Sequence, residues 1–308
     1  MMNRKAKPFL KWAGGKTQIV EHIAMVLPKF VYKEKFTYIE PFVGSGAVLF
    51  WILNNFSKVK KAVINDVNED LIHTYKTIAS NPKELISILQ TIQSEFHELE
   101  KNDEAKKEYY YSKRALYNQR KEEKTTHAAL FIFLNRTCFN GLYRVNRKNE
   151  FNVPMGNYKR PTICDKENIL AVSRVLQKVE ILCGDFEETL NYADKHNTLF
   201  YFDPPYKPLS ETSNFNSYTK DGFDDAEQIR LRNFCHKLDT LGYTWILSNS
   251  DVKSKNEKDN FFDELYSGFN IERVNARRNI NSNPEKRGAL KELLITNQFK
   301  NQNYVNAI

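Results

Sequence analysis

The fold is decided by the stretch from Thr198 to Tyr206, which reads TLFYFDPPY. Its first five residues, ending at Phe202, form an apolar run typical of a buried strand. Asp203 follows directly, and open α/β sheets bind their ligands beyond the carboxyl ends of their strands. The Asp203 carboxylate and the Pro204 carbonyl are adjacent acceptors, and an aromatic ring follows. This set suits a planar amino group on a stacked ring, such as a nucleobase; the alternative is a Pro-Pro turn capped by Asp203.

Composition narrows the classes of protein to which the chain can belong. Its 308 residues carry a net charge of +8, which favours an acidic partner, nucleic acid first. The four cysteines form no C-x-x-C pair and the histidines form no H-E-x-x-H, so neither a metal site nor a disulfide framework is indicated. Since no apolar run reaches membrane-spanning length and no signal peptide is evident, we expect a soluble, cytoplasmic protein.

Strand and helix patterns alternate at both ends of the chain, which predicts an α/β fold. Residues 69–164 interrupt this pattern with polar helices, an apolar helix (Ala128 to Leu134) and a hairpin (Leu142 to Val153). We therefore predict a domain made of residues 1–68 and 165–308, with residues 69–164 inserted. The other predicted strands are Phe36 to Glu40, Ala62 to Asn65, Val179 to Cys183, Thr244 to Leu247, Phe269 to Val274 and Leu290 to Ile295.

A glycine-containing turn follows the first predicted strand. Gly44 and Gly46 would let backbone amides approach a ligand at a helix N-terminus, and Asp66 ends the next strand, where an acid can hold ribose hydroxyls. Leu49 occupies the third glycine position of the dinucleotide fingerprint, so an adenosine-bearing cofactor without a pyrophosphate fits better than a nicotinamide. A purely structural glycine turn explains this motif about as well.

Two further segments could contact the same ligand. Trp12 to Lys16 could wrap a cofactor that carries a carboxylate, or could belong to a basic arm. It is not a phosphate loop, because Leu10 stands where that motif needs a glycine. Asp185 and Phe186 close another strand, where they could bind and stack on an adenine or could simply form a polar strand exit.

A basic segment, Asn135 to Arg160, holds six Lys and Arg residues against one acid, Glu150. Such a segment can enter a DNA groove, or it can be a solvated hairpin. The stretch from Arg273 to Lys291 is also basic and could add phosphate contacts. The aromatic residues interleaved in the basic segment are Phe139, Tyr143, Phe151 and Tyr158.

Taken together and in this order, these motifs resemble those of the Dam-type DNA adenine methyltransferases of bacteria and phages. The resemblance covers nearly the whole chain, and it implies a Rossmann-like methyltransferase sheet with an inserted target-recognition domain. The motifs are FLKWAGGK (Phe9 to Lys16), EPFVGSG (Glu40 to Gly46), NDVN (Asn65 to Asn68), NGLYR (Asn140 to Arg144), EFNVPMG (Glu150 to Gly156), GDF (Gly184 to Phe186) and DPPY (Asp203 to Tyr206).

The resemblance implies S-adenosylmethionine as the cofactor and no metal. Lys16 would face the methionine carboxylate, and Asp66 the ribose hydroxyls. The catalytic residues would be Asp203, Pro204, Pro205 and Tyr206, which bind the amine and stack on the base. The cofactor pocket would be lined by Trp12, Ala13, Gly14, Gly15, Lys16, Glu40, Phe42, Gly44, Gly46, Asp66, Asp185, Phe186 and Asp203.

The implied partner is double-stranded DNA, bound by a monomer that flips the target adenine out of the helix. The matching residues favour the sequence GATC, with Arg144 suited to clamp a guanine edge. Phe139 stands where this family usually has tyrosine, and Thr137 and Cys138 also depart from its pattern. The implied DNA-binding residues are Lys11, Arg136, Phe139, Asn140, Leu142, Arg144, Lys148 and Pro154.

Two other classes of protein share parts of this pattern. A glutamine-modifying protein methyltransferase would use the same fold, but such enzymes typically begin the D-P-P-Y motif with Asn and lack the basic segment. A non-catalytic DNA-binding module would need neither Asp66 nor Asp203. A restriction nuclease is a natural companion of such an enzyme, but the chain itself shows no metal-binding nuclease motif.

Overall fold

The computed structural model describes residues 4–12, 16, 19–207, 223–277 and 289–298. Its strands are β1 (Phe36–Glu40), β2 (Val59–Ile64), β3 (Val179–Ile181), β4 (Thr198–Phe202), β5 (Thr244–Ser250), β6 (Asn270–Arg277) and β7 (Ala289–Thr296). Its helices are α1 (Val20–Val26), α2 (Phe30–Lys33), α3 (Ala47–Asn55), α4 (Glu69–Ser80), α5 (Pro82–Glu98), α6 (Asp103–Gln119), α7 (Lys124–Thr137), α8 (Lys166–Leu176), α9 (Asp225–Thr240) and α10 (Phe261–Leu265). Within the described residues, the strands form one sheet in the order β3-β2-β1-β4-β5-β7-β6.

The predicted α/β sheet is confirmed, and each of the seven strands predicted for it occurs in it, whereas those of the hairpin do not. The bounds of β1 and β4 are as predicted, whereas other strands differ at their ends. β3 stops at Ile181 because that residue pairs with Ile64, the last residue of its one partner strand, β2. β5 continues beyond Leu247 because the polar residues Ser248 and Asn249 pair with β7 inside the sheet.

The order of the strands creates a crevice at one edge of the sheet. β1 to β5 run parallel to one another, and β7 runs antiparallel to both β5 and β6. The chain order reverses between β1 and β4, which lie side by side. Ligands of open α/β sheets bind at such a reversal, beyond the carboxyl ends of the strands. Glu40 ends β1 and Asp203 follows β4, so both residues lie there.

Both faces of the sheet are covered, so its central strands are buried along their whole length. On β4, Leu199 and Tyr201 face the core shared with α1 to α8, and Phe200 and Phe202 face the core shared with α9 and α10. Successive side chains of a strand point to opposite faces. A parallel strand covered on both faces therefore has a continuous apolar sequence, which is why TLFYF predicted this strand.

The segment between β2 and β3 is helical, as predicted. Its central helix, α7, extends beyond the predicted range Ala128 to Leu134 and packs against α4, α5 and α6. One hydrophobic core joins these helices to the sheet. The division of the chain into a catalytic domain and an inserted domain at residues 69 and 164 stays a prediction.

Asp70, at the start of α4, connects helices α4, α6 and α7. Its carboxylate accepts hydrogen bonds from Tyr117 (2.6 Å) and Tyr143 (3.3 Å), and from His127 at 3.0 Å. Arg120 adds a bidentate pair at 2.8 and 2.9 Å. Burial alone would raise the pKa of Asp70, but the hydrogen bonds from His127, Arg120 and Tyr117 hold that pKa well below its ordinary value.

The predicted hairpin is present as a turn, but its predicted strands are wrong. Val145 forms one antiparallel bridge with Phe151, and the Asn146 side chain closes the turn by accepting from two backbone N–H groups. Side chains of helix α6 form hydrogen bonds with the backbone groups that would pair in a longer β-ladder. The Asn118 side chain bonds both the N–H and the carbonyl of Phe151, and two other α6 side chains donate to the Val153 carbonyl.

Candidate active site

The D-P-P-Y segment leaves β4 at the crevice, where neighbouring elements hold it. Ser248 of β5 donates to Asp203 Oδ1 at 3.3 Å, and Gln228 of α9 donates to the Pro205 carbonyl at 3.2 Å. Among the described residues, none donates a hydrogen bond to the carbonyl of Pro204. The segment therefore presents a fixed carboxylate beside a backbone acceptor that a ligand can use.

Lys16 lies buried between the D-P-P-Y segment and β7. Its ammonium is 3.1 Å from Asp203 Oδ1 and 3.3 Å from Glu292 Oε2, and it sits 4.1 Å from the centre of the Tyr206 ring. The Tyr206 hydroxyl donates to Glu292 Oε2 at 3.0 Å. Sequence reasoning missed Glu292, because its place depends on β7 pairing with β5, which sets Glu292 opposite Ser250.

The protonation of Asp203 reflects these opposing contacts. Burial raises the pKa of Asp203 to about 6, Lys16 lowers it, and the charge of Glu292 raises it. At neutral pH the carboxylate is therefore mostly ionised and acts only as an acceptor. Because the pKa of Asp203 lies only slightly below neutral pH, less of the carboxylate is ionised under mildly acidic conditions. A reaction that needs the ionised form therefore slows there.

The chain after β1 turns through Gly44 and Gly46, whose φ angles are +47° and +73°. The Gly44 N–H donates to Asp66 Oδ2 at 3.1 Å, and the Tyr75 hydroxyl donates to the Gly44 carbonyl at 3.0 Å. A Cβ on Gly46 would lie 2.6 Å from the Tyr75 hydroxyl, so only glycine fits. Gly46 is also the N-cap of α3, and the turn thus brings a helix N-terminus to the crevice.

Asp66 and Glu40 add two further carboxylates to this edge of the sheet. Asp66 Oδ1 accepts from the Asn68 N–H at 3.0 Å, and burial raises the pKa of Asp66 to about 6. Glu40 is buried and accepts from the Tyr38 hydroxyl at 2.7 Å. Burial raises the pKa of Glu40 well above its ordinary value, and its charge interacts with both Asp66 and Asp203. The structure thus brings these three predicted residues together.

Asp185 and Phe186 lie beside the same crevice, where Asp185 is the N-cap of a short 3-10 helix (Phe186–Tyr192) and Phe186 its first residue. Arg230 of α9 holds the Asp185 carboxylate through two hydrogen bonds, of 3.0 and 2.7 Å, and lies 4.1 Å from the Phe186 ring. The Phe186 ring is buried and packs against Phe42 with ring centres 5.3 Å apart. Sequence reasoning missed Arg230, because no local pattern links α9 to this turn.

Trp12 lies over the glycine turn. A Cβ on Gly44 would come within 3.1 Å of Trp12 Nε1, and the Trp12 ring stacks on Tyr143 with ring centres 5.7 Å apart. Trp12 therefore bridges the glycine turn and Tyr143 of the basic segment. The predicted residues Ala13, Gly14 and Gly15 lie outside the described residues.

Asn135 fixes Lys11 beside the basic segment. The Asn135 side chain accepts from the Lys11 N–H and donates to the Lys11 carbonyl, both at 2.7 Å. The Lys11 ammonium lies 3.8 Å from the centre of the Tyr158 ring. Asn135, another residue that sequence reasoning missed, thus couples the N-terminal segment to the end of α7.

Four of the predicted DNA-binding residues lie near the end of α7. Phe139 is 45% exposed, and its N–H donates to the carbonyl of exposed Pro154 at 2.9 Å. Asn140 follows with a positive φ of 55°. Arg136 donates from Nε and Nη2 to the Phe9 carbonyl at 3.1 and 2.8 Å, so its guanidinium fastens the N-terminal segment.

Leu142, Arg144 and Lys148 follow along the basic segment. Arg144 Nε donates to Asn152 Oδ1 at 2.7 Å, and Lys148 is exposed at the turn.

Two of the aromatic residues interleaved in the basic segment, Tyr143 and Phe151, belong to the protein core. Both are buried, at 6% and 2% exposure, because they pack into the helical core. The structure describes only part of the second basic stretch, Arg273 to Lys291. Arg273 pairs with Asp251 and Asp263 at 3.1 and 2.7 Å, and residues 278–288 lie outside the described part.

The sequence matches the D12 class N6 adenine-specific DNA methyltransferase family over residues 12–280. The chain belongs to this family. It is 49% identical to a type II methyltransferase, M.MjaIII, of Methanocaldococcus jannaschii, over 95% of this chain and 99% of that protein. It is 40% identical to the type II methyltransferase M1.LlaDCHI of Lactococcus lactis (94% and 95% covered) and 36% identical to a DNA adenine methylase of Haemophilus influenzae (94% and 93%).

Membership in this family makes the protein an adenine-specific DNA methyltransferase, as the resemblance implied. It decides against a glutamine-modifying protein methyltransferase and against a non-catalytic module. In the described part of the chain, no group of three or more His, Cys, Asp or Glu side chains is placed to hold a metal ion. Nor does that part contain a helix with the length and apolar character needed to cross a membrane.

Proposed function

We propose that the enzyme transfers a methyl group from S-adenosylmethionine to N6 of adenine in double-stranded DNA, within GATC. The observation that carries this proposal is the crevice between β1 and β4. Asp203 and the Pro204 carbonyl stand there beside the Gly44 turn and Asp66. Two hydrogen-bond acceptors that can hold an amine thus lie beside a glycine turn and a carboxylate, and these last two features together suit an adenosine.

The described residues fit S-adenosylmethionine in their chemistry. Each Asp66 oxygen accepts one backbone N–H and keeps a further lone pair for a ribose hydroxyl. The Lys16 ammonium has three donors, of which two point to Asp203 and Glu292, so one can meet the methionine carboxylate. When bound, the cofactor supplies an electrophilic methyl group on a sulfonium.

The target amine would be held by two acceptors. Asp203 and the Pro204 carbonyl would take its two hydrogens, which draws the nitrogen lone pair out of conjugation with the ring and aims it at the methyl group. These residues would contribute by positioning the amine: as its new bond to the methyl carbon formed, the sulfur would leave as a neutral thioether and the amine nitrogen would give up one proton. Lys16 lies over one face of the Tyr206 ring, so the base would stack on the opposite face.

The target adenine would reach this crevice by flipping out of the duplex. Exposed Phe139, with Asn140 beside it, would occupy the space near the flipped base. Lys11, Leu142, Arg144 and Pro154 would read the flanking bases, and Lys148 would contact a phosphate. Arg136 would act through the N-terminal segment that it fastens.

Methylation of a random-sequence duplex library, followed by mapping of the modified adenines, tests this proposal. We expect N6-methyladenine in GATC, S-adenosylmethionine as the methyl donor, and full activity in the presence of EDTA. Modification of a different site would overturn the recognition model alone. Light scattering should give a mass near 36.2 kDa, because we propose that the enzyme is a monomer.

A further inference from the structure

Among the described residues, Glu292 contacts two groups of the candidate active site. Its Oε2 accepts a hydrogen bond from the Tyr206 hydroxyl at 3.0 Å and lies 3.3 Å from the Lys16 ammonium. Glu292 belongs to β7, which is hydrogen-bonded on both sides, to β5 and to β6. A carboxylate on a central strand has little freedom to move, so it can fix the two groups that it contacts.

Without Glu292, the Lys16 ammonium and the Tyr206 hydroxyl would each make different contacts. Lys16 is 3% exposed and has Asp203 as its other carboxylate partner, at 3.1 Å. A buried ammonium needs full compensation, so loss of one partner strengthens its attachment to the other. An Asp203 oxygen that is engaged by Lys16 is a poorer acceptor for an incoming amine. At the same time, the Tyr206 hydroxyl would lose its partner and its ring would be free to tilt.

We propose that Glu292 is a positioning residue for methyl transfer. It orients the Tyr206 ring for the target base, and it shares Lys16 with Asp203 so that Asp203 can accept a hydrogen bond from the target amine. This inference rests on the proposed function of the D-P-P-Y segment. The contact of Ser250 with the Lys207 carbonyl, at 3.2 Å, supports the same picture, because Ser250 lies opposite Glu292 and holds the residue after Tyr206.

The charged groups around Asp203 influence its pKa, so the role of Glu292 should be measurable in the pH dependence of activity. Lys16 faces it from the N-terminal segment, Glu292 from β7, and Glu40 from β1. Among the other described residues, Ser248, Tyr38 and Tyr201 also face Asp203, with neutral hydroxyls. Removal of the Glu292 charge favours the ionised form of Asp203, so its pKa falls. The acid limb of kcat/KM should therefore move to lower pH in Glu292→Gln.

Two substitutions separate the contributions of charge and hydrogen bond. Glu292→Gln keeps an oxygen that can accept from Tyr206 but removes the charge beside Lys16, whereas Glu292→Ala removes both. We expect Glu292→Ala to lower kcat/KM for duplex DNA on the order of 10-fold, the effect of one lost charge-assisted hydrogen bond. Glu292→Gln should recover part of that loss at neutral pH and show the shifted acid limb.

A double-mutant cycle tests the link to Tyr206. Tyr206→Phe removes only the hydroxyl, so it should lose part of what Glu292→Ala loses, and the double variant should be no worse than Glu292→Ala. If the fold losses of rate in the two single variants instead multiplied in the double variant, Tyr206 and Glu292 would not act through a shared contact. Thermal unfolding of each variant shows whether a loss of activity comes from a loss of folding.

Glu180→Gln provides the matched control. Glu180 lies exposed on β3, at the opposite edge of the same sheet from β6, so this variant should keep the rate and pH profile of the parent. The inference fails if the parent methylates DNA while Glu292→Ala retains its rate and pH profile. If the parent itself methylates no DNA under any condition, the proposed function fails instead.

Discussion

Arg144 is oriented by Asn152, whose Oδ1 accepts a hydrogen bond from Arg144 Nε at 2.7 Å. The same two residues are joined by a backbone hydrogen bond, from the Asn152 N–H to the Arg144 carbonyl, at 3.1 Å. Because Nε is engaged, the guanidinium is held in one plane, while its terminal nitrogens keep donors for a guanine edge. A preoriented guanidinium loses less freedom on binding, which favours the use of Arg144 for sequence readout.

Arg144→Ala should relax the preference for guanine at one position of the site. Guanine offers two acceptors in the major groove to a bidentate arginine, so loss of this contact should cost about 1–3 kcal/mol of discrimination at that position. Methylation rates on GATC and on each single-base variant measure the effect. Asn152→Ala should weaken the same preference, because it frees the guanidinium.

Lys148→Ala is the control for this experiment. Lys148 is exposed at the turn of the basic segment, so its removal should weaken binding to all sequences alike and reduce the salt dependence. If Arg144→Ala lowers every rate equally and leaves the site preference unchanged, Arg144 contacts a phosphate and the recognition model is wrong.

Asp203→Ala should abolish methyl transfer while the protein stays folded. The variant removes an acceptor that positions the amine in the transition state, a loss on the order of 100-fold or more. Rates under single-turnover conditions, together with a thermal unfolding curve, provide the measurement. Asp203→Asn keeps one carbonyl acceptor and should fall between the parent and the alanine variant. A rate within a few-fold of the parent would remove Asp203 from catalysis.

The rate of methyl transfer should fall as the pH drops through about 6. The pKa of Asp203 is raised to about 6, and only its ionised form is purely an acceptor, so activity is present above this pH and lost below it. Asp66 has a similarly raised pKa, and both groups can contribute to the acid limb. A pH profile of kcat at saturating cofactor, compared with cofactor affinity over the same range, separates the two.

Asp66→Ala should weaken the binding of S-adenosylmethionine. The lost hydrogen bond is charge-assisted, so the affinity should fall by about 1.5–3 kcal/mol, with little change in DNA binding. Titration calorimetry with the cofactor measures this loss, and a DNA-binding assay is the control. Since Asp66 also accepts from the Gly44 N–H, Asp66→Asn is a milder companion variant that keeps one oxygen acceptor. Unchanged cofactor affinity in both variants would exclude Asp66 from the pocket.

Short sequence patterns predicted those features of the fold that depend only on residues close together in the chain. The run Thr198–Phe202 predicted a buried strand, and Asp203 after it predicted a group at the edge of the sheet; both follow from hydrophobic patterning within a few residues. The glycine turn with Asp66 was predictable for the same reason. These features needed only the periodicity of the chain and the general rule for where α/β sheets bind ligands.

Long-range pairing explains what the sequence did not predict. Glu292 reaches the D-P-P-Y segment because β7 pairs antiparallel with β5, a register that no local pattern determines. Arg230 of α9 donates to Asp185, which lies 45 residues earlier in the chain. The predicted hairpin strands are absent from residues 142–153 because the Asn118 side chain competes for their backbone groups. In each case, the decisive partner is distant in sequence.

Asp70 should be a large single contributor to the stability of helices α4, α6 and α7. Asp70→Ala leaves Arg120 and His127 without their carboxylate, and loss of one partner of a buried ion pair typically costs about 3–5 kcal/mol. Arg120 is 34% exposed, so water compensates part of this loss and we expect about 3 kcal/mol. Urea unfolding at neutral pH measures it, with Asp103→Asn, on the exposed start of α6, as a control that should lose much less.

This contribution should also depend on pH in a defined direction. The pKa of Asp70 is held below its ordinary value of about 4, so the folded state binds its proton less readily than the unfolded state. The stabilisation is therefore complete above about pH 4 and is lost as the pH falls towards the lowered pKa. The free energy of unfolding of the parent should decrease over this acidic range more steeply than that of Asp70→Asn. Parallel slopes for the two proteins would show that Asp70 does not titrate with folding, and the hydrogen bonds around it would then contribute no pH-dependent stability.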